Sequence, residues 1–521
     1  MIRVSKGYLK GRFAHKIENL SQTYGSMVKR FTPTFIVERM SKVDTAWLRM
    51  DSSSNLMMIL GVWIIKPAVG FDVARDRIQE RLLQYPRFTQ RVQQDATGAS
   101  WVTDTEFDIH RHVLREKLPA ISRKYPEQAL QARLGELAMQ PLDMRYPLWE
   151  FRLVEHFDGG SAMLVRIHHC IADGLALIAV IQSLVDGGSE PPQHRGRASA
   201  STGREAAEDW MSHTVIEPLT LATVKALEAA GVGAEQAFTA LGDPRNSVEK
   251  LIEKGLSKGL SGSADVARMA YQVVRDGAAL ALMSDDSPTR LKGTPGTAKR
   301  VAWCQPIPLD EVRAVGKALH CSINDVLLSC VAGAIAQYLR TQGDAVAGKE
   351  IRAMVPVNLR PMSEAYKLGN QFGLAPVVLP IGLDNPVQRV FEVRRRMGEL
   401  KGSMQPLLAF ALLAVAGVLV KPAQDALLNL FSRKTTAVMT NVPGPREKLR
   451  FCGATLEQAL FWVPQSGSVG LGVSILSYGG GVQFGVISDT TLCPDPQAII
   501  DQFGPEFERL CLLMLMLPWG D

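Results

Sequence analysis

Two adjacent histidines, His168 and His169, end the apolar run 162–168, and Asp173 and Gly174 complete the pattern HHxxxDG. An imidazole can exchange protons near neutral pH because its unperturbed pKa is about 6.5. The run predicts a strand that ends in a turn before a helix, a position that holds a side chain rigidly beside a cleft. Asp173 can orient the turn or a ring, and Gly174 can adopt backbone angles that other residues resist. The pattern therefore predicts proton transfer by one of the two histidines.

Three other interpretations of these residues are weaker. A pair of histidines on a strand can be an ordinary, partly buried polar feature. His168, His169 and Asp173 could instead bind iron or zinc, and Cys170 could act as a nucleophile. Adjacent strand residues point to opposite faces, which argues against two imidazoles on one ion and against a thiolate beside its base. We therefore expect neither a metal site nor a covalent intermediate.

The elements that position these residues follow from the spacing of apolar side chains. In the first part of the chain, residues 57–65 and 162–168 are predicted to be strands, and 73–83 and 126–139 helices. In the second part, strands are predicted at 300–308, 351–357, 373–380, 436–441, 469–477 and 482–488, with a helix at 309–319. Three consecutive glycines, 479–481, indicate a hairpin between the last two strands.

A further helix is predicted to begin at Ser322. Asp325 follows three residues later, so each side chain can accept a hydrogen bond from a free backbone N–H at the helix start. Residues 407–420 form the longest apolar run, but its 14 residues are fewer than the roughly 20 needed to span a bilayer. We expect a buried helix there. An interfacial helix is the alternative, although the run lacks a polar face.

The chain divides at segments without apolar periodicity. Residues 187–209 are rich in Gly, Ser, Pro and charge, and mostly helical, Ala-rich sequence follows to about residue 283. We predict a basic N-terminal extension (1–39), a first α/β lobe with HHxxxDG (40–186), a linker and helical crossover (187–298), and a second α/β lobe (299–521). A length of 521 residues is consistent with a two-lobed enzyme.

Charge is concentrated at the N-terminus. Residues 1–42 contain nine Lys or Arg and two Glu, a net charge of +7, so the rest of the chain carries −1 of the total of +6. This distribution gives no reason to expect nucleic acid, whereas a basic segment with aromatic residues suits an anionic membrane surface. A solvated tail is the alternative. Seven scattered cysteines without a CxxC pair indicate a reducing, cytoplasmic setting.

At this point the sequence resembles a known family, the bacterial wax ester synthase/diacylglycerol acyltransferases, within the chloramphenicol acetyltransferase-like, CoA-dependent acyltransferase superfamily. HHxxxDG marks the superfamily, and further motifs in a fixed order mark the family. These motifs are Pro147-Leu148-Trp149, Asn324-Asp325, Val355-Pro356-Val357-Asn358-Leu359-Arg360, Gly369-Asn370-Gln371-Phe372-Gly373 and Asn441-Val442-Pro443-Gly444-Pro445. The resemblance covers nearly the whole chain, apart from the long basic N-terminus.

The resemblance implies two acyltransferase-like lobes, each a mixed sheet with flanking helices, with a tunnel between them that admits acyl-CoA and the alcohol. His169 would be the base, with His168 beside it, Asp173 mainly structural, and Asn324 stabilising charge or positioning substrate. The remaining motif residues, predicted to shape the tunnel or support the site, are Gly174, Pro147, Trp149, Asp325, Asn358, Arg360, Asn370 and Asn441. Trp149 is expected to pack in the core, and Arg360 or Arg166 to pair with Asp173.

The predicted reaction transfers a fatty acyl group from acyl-CoA, a co-substrate, to a fatty alcohol or diacylglycerol, with no permanently bound cofactor. His169 would deprotonate the hydroxyl without a covalent intermediate. Peripheral attachment to the inner membrane or a lipid inclusion would deliver the lipids. A polar or secondary-metabolite acceptor and an inactive lipid-inclusion protein are the alternatives, and the intact HHxxxDG argues against the second.

Overall fold

This computed structural model describes residues 37–95, 98–188, 283–360, 367–401 and 432–516, together with 403, 405–417, 421, 424, 425 and 428. Most of the predicted N-terminal extension and of the predicted crossover therefore lies outside the described residues. The boundaries predicted for the four segments stay a prediction.

The first part of the chain alternates strands and helices. Its strands are β1 (Val37–Arg39), β2 (Met58–Lys66), β3 (Gln90–Asp95), β4 (Gly98–Thr103), β5 (Val113–Arg115), β6 (Trp149–Phe157) and β7 (Gly160–His168). Its helices are α1 (Lys42–Arg49), α2 (Phe71–Leu82), α3 (Pro126–Ala138) and α4 (Gly174–Leu184). The predicted strands at 57–65 and 162–168 and helices at 73–83 and 126–139 are confirmed within a few residues.

The second part has more strands and longer helices. Its strands are β8 (Lys299–Trp303), β9 (Ile307–Pro308), β10 (Ile351–Asn358), β11 (Phe372–Leu379), β12 (Ala437–Pro443), β13 (Arg450–Phe451), β14 (Ala454–Trp462), β15 (Leu471–Tyr478) and β16 (Gly481–Asp489). Its helices are α5 (Leu309–Ala318), α6 (Ile323–Thr341), α7 (Pro386–Lys401), α8 (Gln405–Ala416) and α9 (Gln497–Leu515). The strand predicted at 300–308 is wrong as one element, since it divides into β8 and β9.

Local sequence signals explain several of these boundaries. Ser322 and Asp325 form the predicted capping box at the start of α6, with both reciprocal hydrogen bonds present. The glycines after Tyr478 turn β15 back into β16, because Gly479 and Gly480 have φ of 58° and 81°. The predicted hairpin is therefore confirmed.

Two large sheets carry the site. The first has the order β13-β14-β2-β7-β6-β5, and the second runs β11-β10-β12-β15-β16-β8, with β9 beside β16. Along β2, alternate residues enter different cores: Ile59 and Trp63 pack in one cluster, whereas Leu60 and Val62 pack in another. The first sheet is thus buried on both faces, and β7 delivers the histidines at its end.

Strand β14 joins the two parts of the chain. It lies late in the sequence, yet it pairs antiparallel with β2, from Thr455 opposite Lys66 to Trp462 opposite Leu60. The first sheet is therefore completed by the second part of the chain.

Helix α8 occupies most of the described positions in the apolar run 407–420, so the predicted helix is confirmed for these positions. It packs against α1 and β11. Gly373 on β11 allows the close approach, because a Cβ there would lie 1.7 Å from the carbonyl oxygen of Pro406. Among the described residues no single helix is long and apolar enough to cross a membrane, although α5 and α6, bent by 101°, pass that test together by length and composition.

Candidate active site

His169 lies in the turn between β7 and α4. Its backbone N–H donates to the carbonyl oxygen of Met57 (2.7 Å), and that of His168 donates to Leu148 (2.9 Å). The turn is therefore tied to the strands on both sides. Only 4% of the His169 surface is exposed.

Aromatic rings enclose the His169 imidazole. The indole of Trp47, on α1, stacks on it with ring centroids 4.3 Å apart and planes 11° from parallel. Phe372, at the start of β11, lies 5.6 Å away at 42°. Burial among these rings lowers the pKa of His169 to about 4, because desolvation disfavours the imidazolium. The ring is therefore neutral at physiological pH and able to accept a proton.

The two ring nitrogens of His169 have different surroundings. Nδ1 lies 2.9 Å from Oδ1 of Asn370. Within the described residues, Nε2 makes no hydrogen bond. Unlike Nε2 of His168, it is not one of the fully buried polar atoms that lack a partner. Nε2 of His169 therefore retains contact with open space, as a base that meets substrate requires.

Asp173 holds the turn between β7 and α4 together. One carboxylate oxygen caps α4 by accepting the Ala176 N–H (3.0 Å), and the other accepts the Gln371 N–H (3.1 Å). The Arg360 guanidinium lies 3.1 Å from the same carboxylate, and both side chains are buried. The predicted Arg360–Asp173 pair is confirmed. The alternative prediction, that Arg166 pairs with Asp173, is wrong, because Arg166 pairs with Glu150 at 2.8 Å.

His168 faces away from this arrangement. Its Nδ1 accepts the Cys170 N–H at 3.2 Å, so Nε2 carries the proton and points toward Asp51, 3.5 Å away. His168 therefore anchors the turn. Burial raises the pKa of the Cys170 thiol well above its usual value, so the thiol stays protonated. Among the described residues no group of three or more His, Cys, Asp or Glu side chains is arranged to hold a metal ion.

Asn324 lies in the first turn of α6, apart from the His169 contacts. Its Oδ1 accepts a hydrogen bond from the Asn441 amide (2.7 Å), which leaves the Asn324 Nδ2 hydrogens free to donate elsewhere. In the part of the chain that the structure describes, no hydrogen bond joins Asn324 to His169. Asp325 is engaged in the capping box.

The other predicted motif residues support the surrounding backbone. Asn358 exchanges two hydrogen bonds with the Arg360 backbone (2.6 and 3.0 Å). Trp149 is buried in the core, as predicted, and its indole N–H donates to Phe88 (2.8 Å). Pro147 lies in the turn before β6, where its carbonyl oxygen accepts the Trp149 N–H (2.9 Å). These contacts fix the local backbone, and the predicted role of these residues in a tunnel stays a prediction.

Sequence reasoning missed two residues of α1, Asp44 and Trp47. Asp44 is buried against Asn370, and Trp47 covers the His169 ring. Their spacing of three places both on one helix face. That spacing is common in any buried helix, so the sequence offered no specific signal.

Two apolar cavities are lined by elements that carry the site. One has a volume of about 80 Å³ and is lined by Ile167 of β7, Gly174 of α4, and residues of β2 and β14. The other also has a volume of about 80 Å³ and is lined by Met50 beside α1, Leu374 of β11, and residues of α8. Ile167 precedes His169 by two residues and Leu374 follows Phe372 by two, so each cavity is lined by an element that also carries a residue of the site.

Solved structures with a similar fold define the class. A wax ester synthase/diacylglycerol acyltransferase from Marinobacter aquaeolei VT8 matches with a TM-score of 0.59 and 20% identity, covering 92% of this chain and 99% of that one. The first condensation domain of the CDA synthetase matches with a TM-score of 0.52 and 14% identity, covering 91% and 96%. The chain thus has the fold of these structures, with two chloramphenicol acetyltransferase-like lobes.

Family comparisons narrow this class. The wax ester synthase/diacylglycerol acyltransferase catalytic domain matches residues 40–327, and the C-terminal domain of the same family matches 368–511. The chain belongs to the wax ester synthase/diacylglycerol acyltransferase family and is an acyl-CoA-dependent acyltransferase.

Curated relatives extend over most of the chain. A probable diacylglycerol O-acyltransferase of Mycobacterium tuberculosis (strain H37Rv) is 25% identical over 473 residues, covering 88% of this chain and 92% of the relative. A putative diacylglycerol O-acyltransferase of the same strain is 28% identical over 428 residues, covering 79% and 77%.

Proposed function

We propose that this enzyme transfers a fatty acyl group to a lipid alcohol, either a long-chain alcohol, diacylglycerol or both, with His169 as the general base. The observation that carries the proposal is the neutral, buried imidazole whose Nε2 has no partner in the described part of the chain. The curated relatives named diacylglycerol O-acyltransferases support the acceptor class.

The chemistry requires a base and no nucleophile. A thioester is already activated, so His169 Nε2 needs only to remove the hydroxyl proton as the acceptor oxygen attacks the carbonyl carbon. The tetrahedral intermediate then expels CoA thiolate, and the imidazolium returns the proton to the sulfur. The Trp47 face, 4.3 Å from the ring, can stabilise the transient imidazolium through a cation–π interaction.

Negative charge on the former carbonyl oxygen needs a hydrogen-bond donor. Asn324 suits this role, since Asn441 occupies its Oδ1 and leaves its Nδ2 hydrogens available. Replacing Asn324 with Ala should lower kcat by about 10² or more. An unchanged kcat in Asn324→Ala would show that other donors stabilise this negative charge.

The two apolar cavities support an acceptor with its own aliphatic chain. Each cavity is about 80 Å³ and mainly apolar, so an aliphatic chain must widen it; the acyl chain would take the first cavity and a chain on the acceptor the second cavity, on the β11 side. A fatty alcohol and diacylglycerol both meet this condition. A polar or secondary-metabolite acceptor would leave that cavity unused.

The test of the base is His169→Ala. We expect acyl transfer to fall by at least about 10² to 10⁴, the usual contribution of general-base catalysis. His112→Asn is the matched control, because it also alters a buried histidine, one that stacks on Trp149. Unchanged transfer by a folded His169→Ala enzyme would exclude the base role.

The acceptor is identified by supplying radiolabelled acyl-CoA with a long-chain alcohol, diacylglycerol or a polar alcohol, and separating the products. Wax ester or triacylglycerol is the expected product. Labelled product with the polar alcohol alone favours the alternative acceptor. Binding of lipid without any product identifies an inactive lipid-inclusion protein.

We also propose peripheral attachment to the cytoplasmic face of the inner membrane or to a lipid inclusion. The support is the charge of +7 in residues 1–42, since each basic residue near an anionic surface contributes about 1 kcal/mol. Deleting residues 1–39 should reduce co-sedimentation with anionic vesicles and leave neutral vesicles unaffected. Equal binding before and after deletion would exclude this segment as the anchor.

A further inference from the structure

We propose that Asp44 and Asn370 form a positioning pair that keeps the proton of neutral His169 on Nδ1 and so leaves Nε2 as the base. This inference rests on the proposed role of His169. The three side chains come from distant segments: Asn370 is 201 residues from His169 and 326 residues from Asp44.

The hydrogen bonds of Asn370 determine the orientation of its amide. Nδ2 donates to a carboxylate oxygen of Asp44 (2.7 Å) and to the backbone carbonyl oxygen of His169 (2.7 Å). Both partners are acceptors, so the amide nitrogen must face them and both of its hydrogens are used. Oδ1 therefore faces the ring.

This orientation selects the tautomer of His169. The Asn370 Oδ1, 2.9 Å from Nδ1, can only accept, so Nδ1 must carry the hydrogen. In a neutral imidazole the lone pair then lies on Nε2. After Nε2 takes the substrate proton, Nδ1–H keeps the same acceptor, so no reorganisation is needed during the reaction.

Asp44 prevents the amide from turning over. Its carboxylate accepts from both the backbone N–H (3.0 Å) and Nδ2 (2.7 Å) of Asn370, and Asp44 is 6% exposed. An amide rotated by half a turn would direct Oδ1 at this carboxylate and Nδ2 at the ring. The ring would then carry its proton on Nε2, where it blocks the base.

The segment that carries Asn370 is clamped to the catalytic turn on both sides. Gly369 donates its N–H to Ile171 (3.0 Å), and Gln371 donates its N–H to Asp173 (3.1 Å). Gly369 has φ of 104°, and a Cβ there would lie 3.5 Å from Asp44. A glycine therefore brings the Asn370 backbone to Asp44, which accounts for the Gly-Asn pair.

The experiment combines ring spectroscopy with kinetics on the full chain. Protein labelled with ¹⁵N in its histidine rings is compared as wild type, Asp44→Ala, Asp44→Asn and Asn370→Leu, and His169→Gln assigns the His169 signals. Wild type should show a protonated Nδ1. Asp44→Ala and Asn370→Leu should shift this tautomer toward protonated Nε2 and lower kcat at least about tenfold. Asp44→Asn, which keeps an acceptor oxygen, should recover most of the activity.

Asp286→Ala is the matched control, because Asp286 is another buried carboxylate that accepts a backbone N–H, that of Arg352 (3.0 Å). It should leave the tautomer and the kcat of the folded enzyme unchanged. A wild-type tautomer and kcat in Asp44→Ala would overturn the proposal. Retained transfer in His169→Ala would instead overturn the proposed function, so the two failures are distinguishable.

Discussion

At the scale of single residues, the site places the proposed base, His169, in an apolar surrounding. Trp47 and Phe372 remove water from the His169 ring, which strengthens every electrostatic contact made there. The same burial lowers the pKa of His169, so the folded protein resists protonation of this ring. The proposed catalysis and the stability of the fold therefore depend on the same buried group.

This linkage predicts how stability depends on pH. The folded pKa of His169 is about 4 and the unfolded value about 6.5, so between these pH values the unfolded chain binds more protons. The free energy of unfolding should rise with pH across this window, by roughly 3 kcal/mol from this residue, and level off above it. Denaturant unfolding of wild type and His169→Gln at several pH values measures the difference in slope.

The control for this measurement is His110→Gln, which removes an exposed histidine. Some pH dependence should remain in His169→Gln, because burial also lowers the pKa of His112. If the free energy of unfolding changed equally with pH in wild type and His169→Gln, the burial of His169 would be contradicted.

At the scale of elements, α8 packs more closely on β11 than a side chain would allow. Gly373→Ala would place a Cβ 1.7 Å from the Pro406 carbonyl oxygen, so α8 must move outward. We expect the free energy of unfolding to fall by about 1–3 kcal/mol or more. Because α8 lines the cavity on the β11 side, KM for the proposed lipid acceptor should change as well.

Gly398→Ala provides a control of opposite sign. Gly398 lies on α7 with open space at its Cβ position, so alanine should stabilise the helix by about 0.8–1 kcal/mol. Thermal unfolding of Gly373→Ala and Gly398→Ala tests whether the first lowers and the second raises the stability of the protein. Equal stability of Gly373→Ala and wild type would show that α8 tolerates displacement.

The elements were more predictable from sequence than their contacts. β7 follows from the apolar run before His168, and the start of α6 from Ser322, because both signals are local. β14 was missed, since Glu457 and Gln458 interrupt its apolar alternation where the pairing with β2 is irregular. The Asp44–Asn370 contact was missed because only tertiary packing brings such distant residues together.

At the scale of the whole molecule, the first sheet depends on β14. Without residues 299–521, β2 would be an open apolar edge beside β7. We predict that a fragment of residues 1–298 aggregates when expressed alone and becomes soluble when residues 299–521 are expressed with it. Sedimentation measures the aggregated fraction of each fragment, and denaturant unfolding shows whether the soluble fraction unfolds cooperatively. A soluble, cooperatively unfolding 1–298 fragment would show that β14 is dispensable.

The position of β14 also sets a delay during synthesis. Trp462 follows Lys66 by 396 positions, which a ribosome adding about 5–20 residues per second covers in roughly 20–80 s. For that interval β2 has emerged without its partner strand, and its apolar edge is available to other nascent chains. The newborn polypeptide should therefore need a chaperone until its last third has been translated.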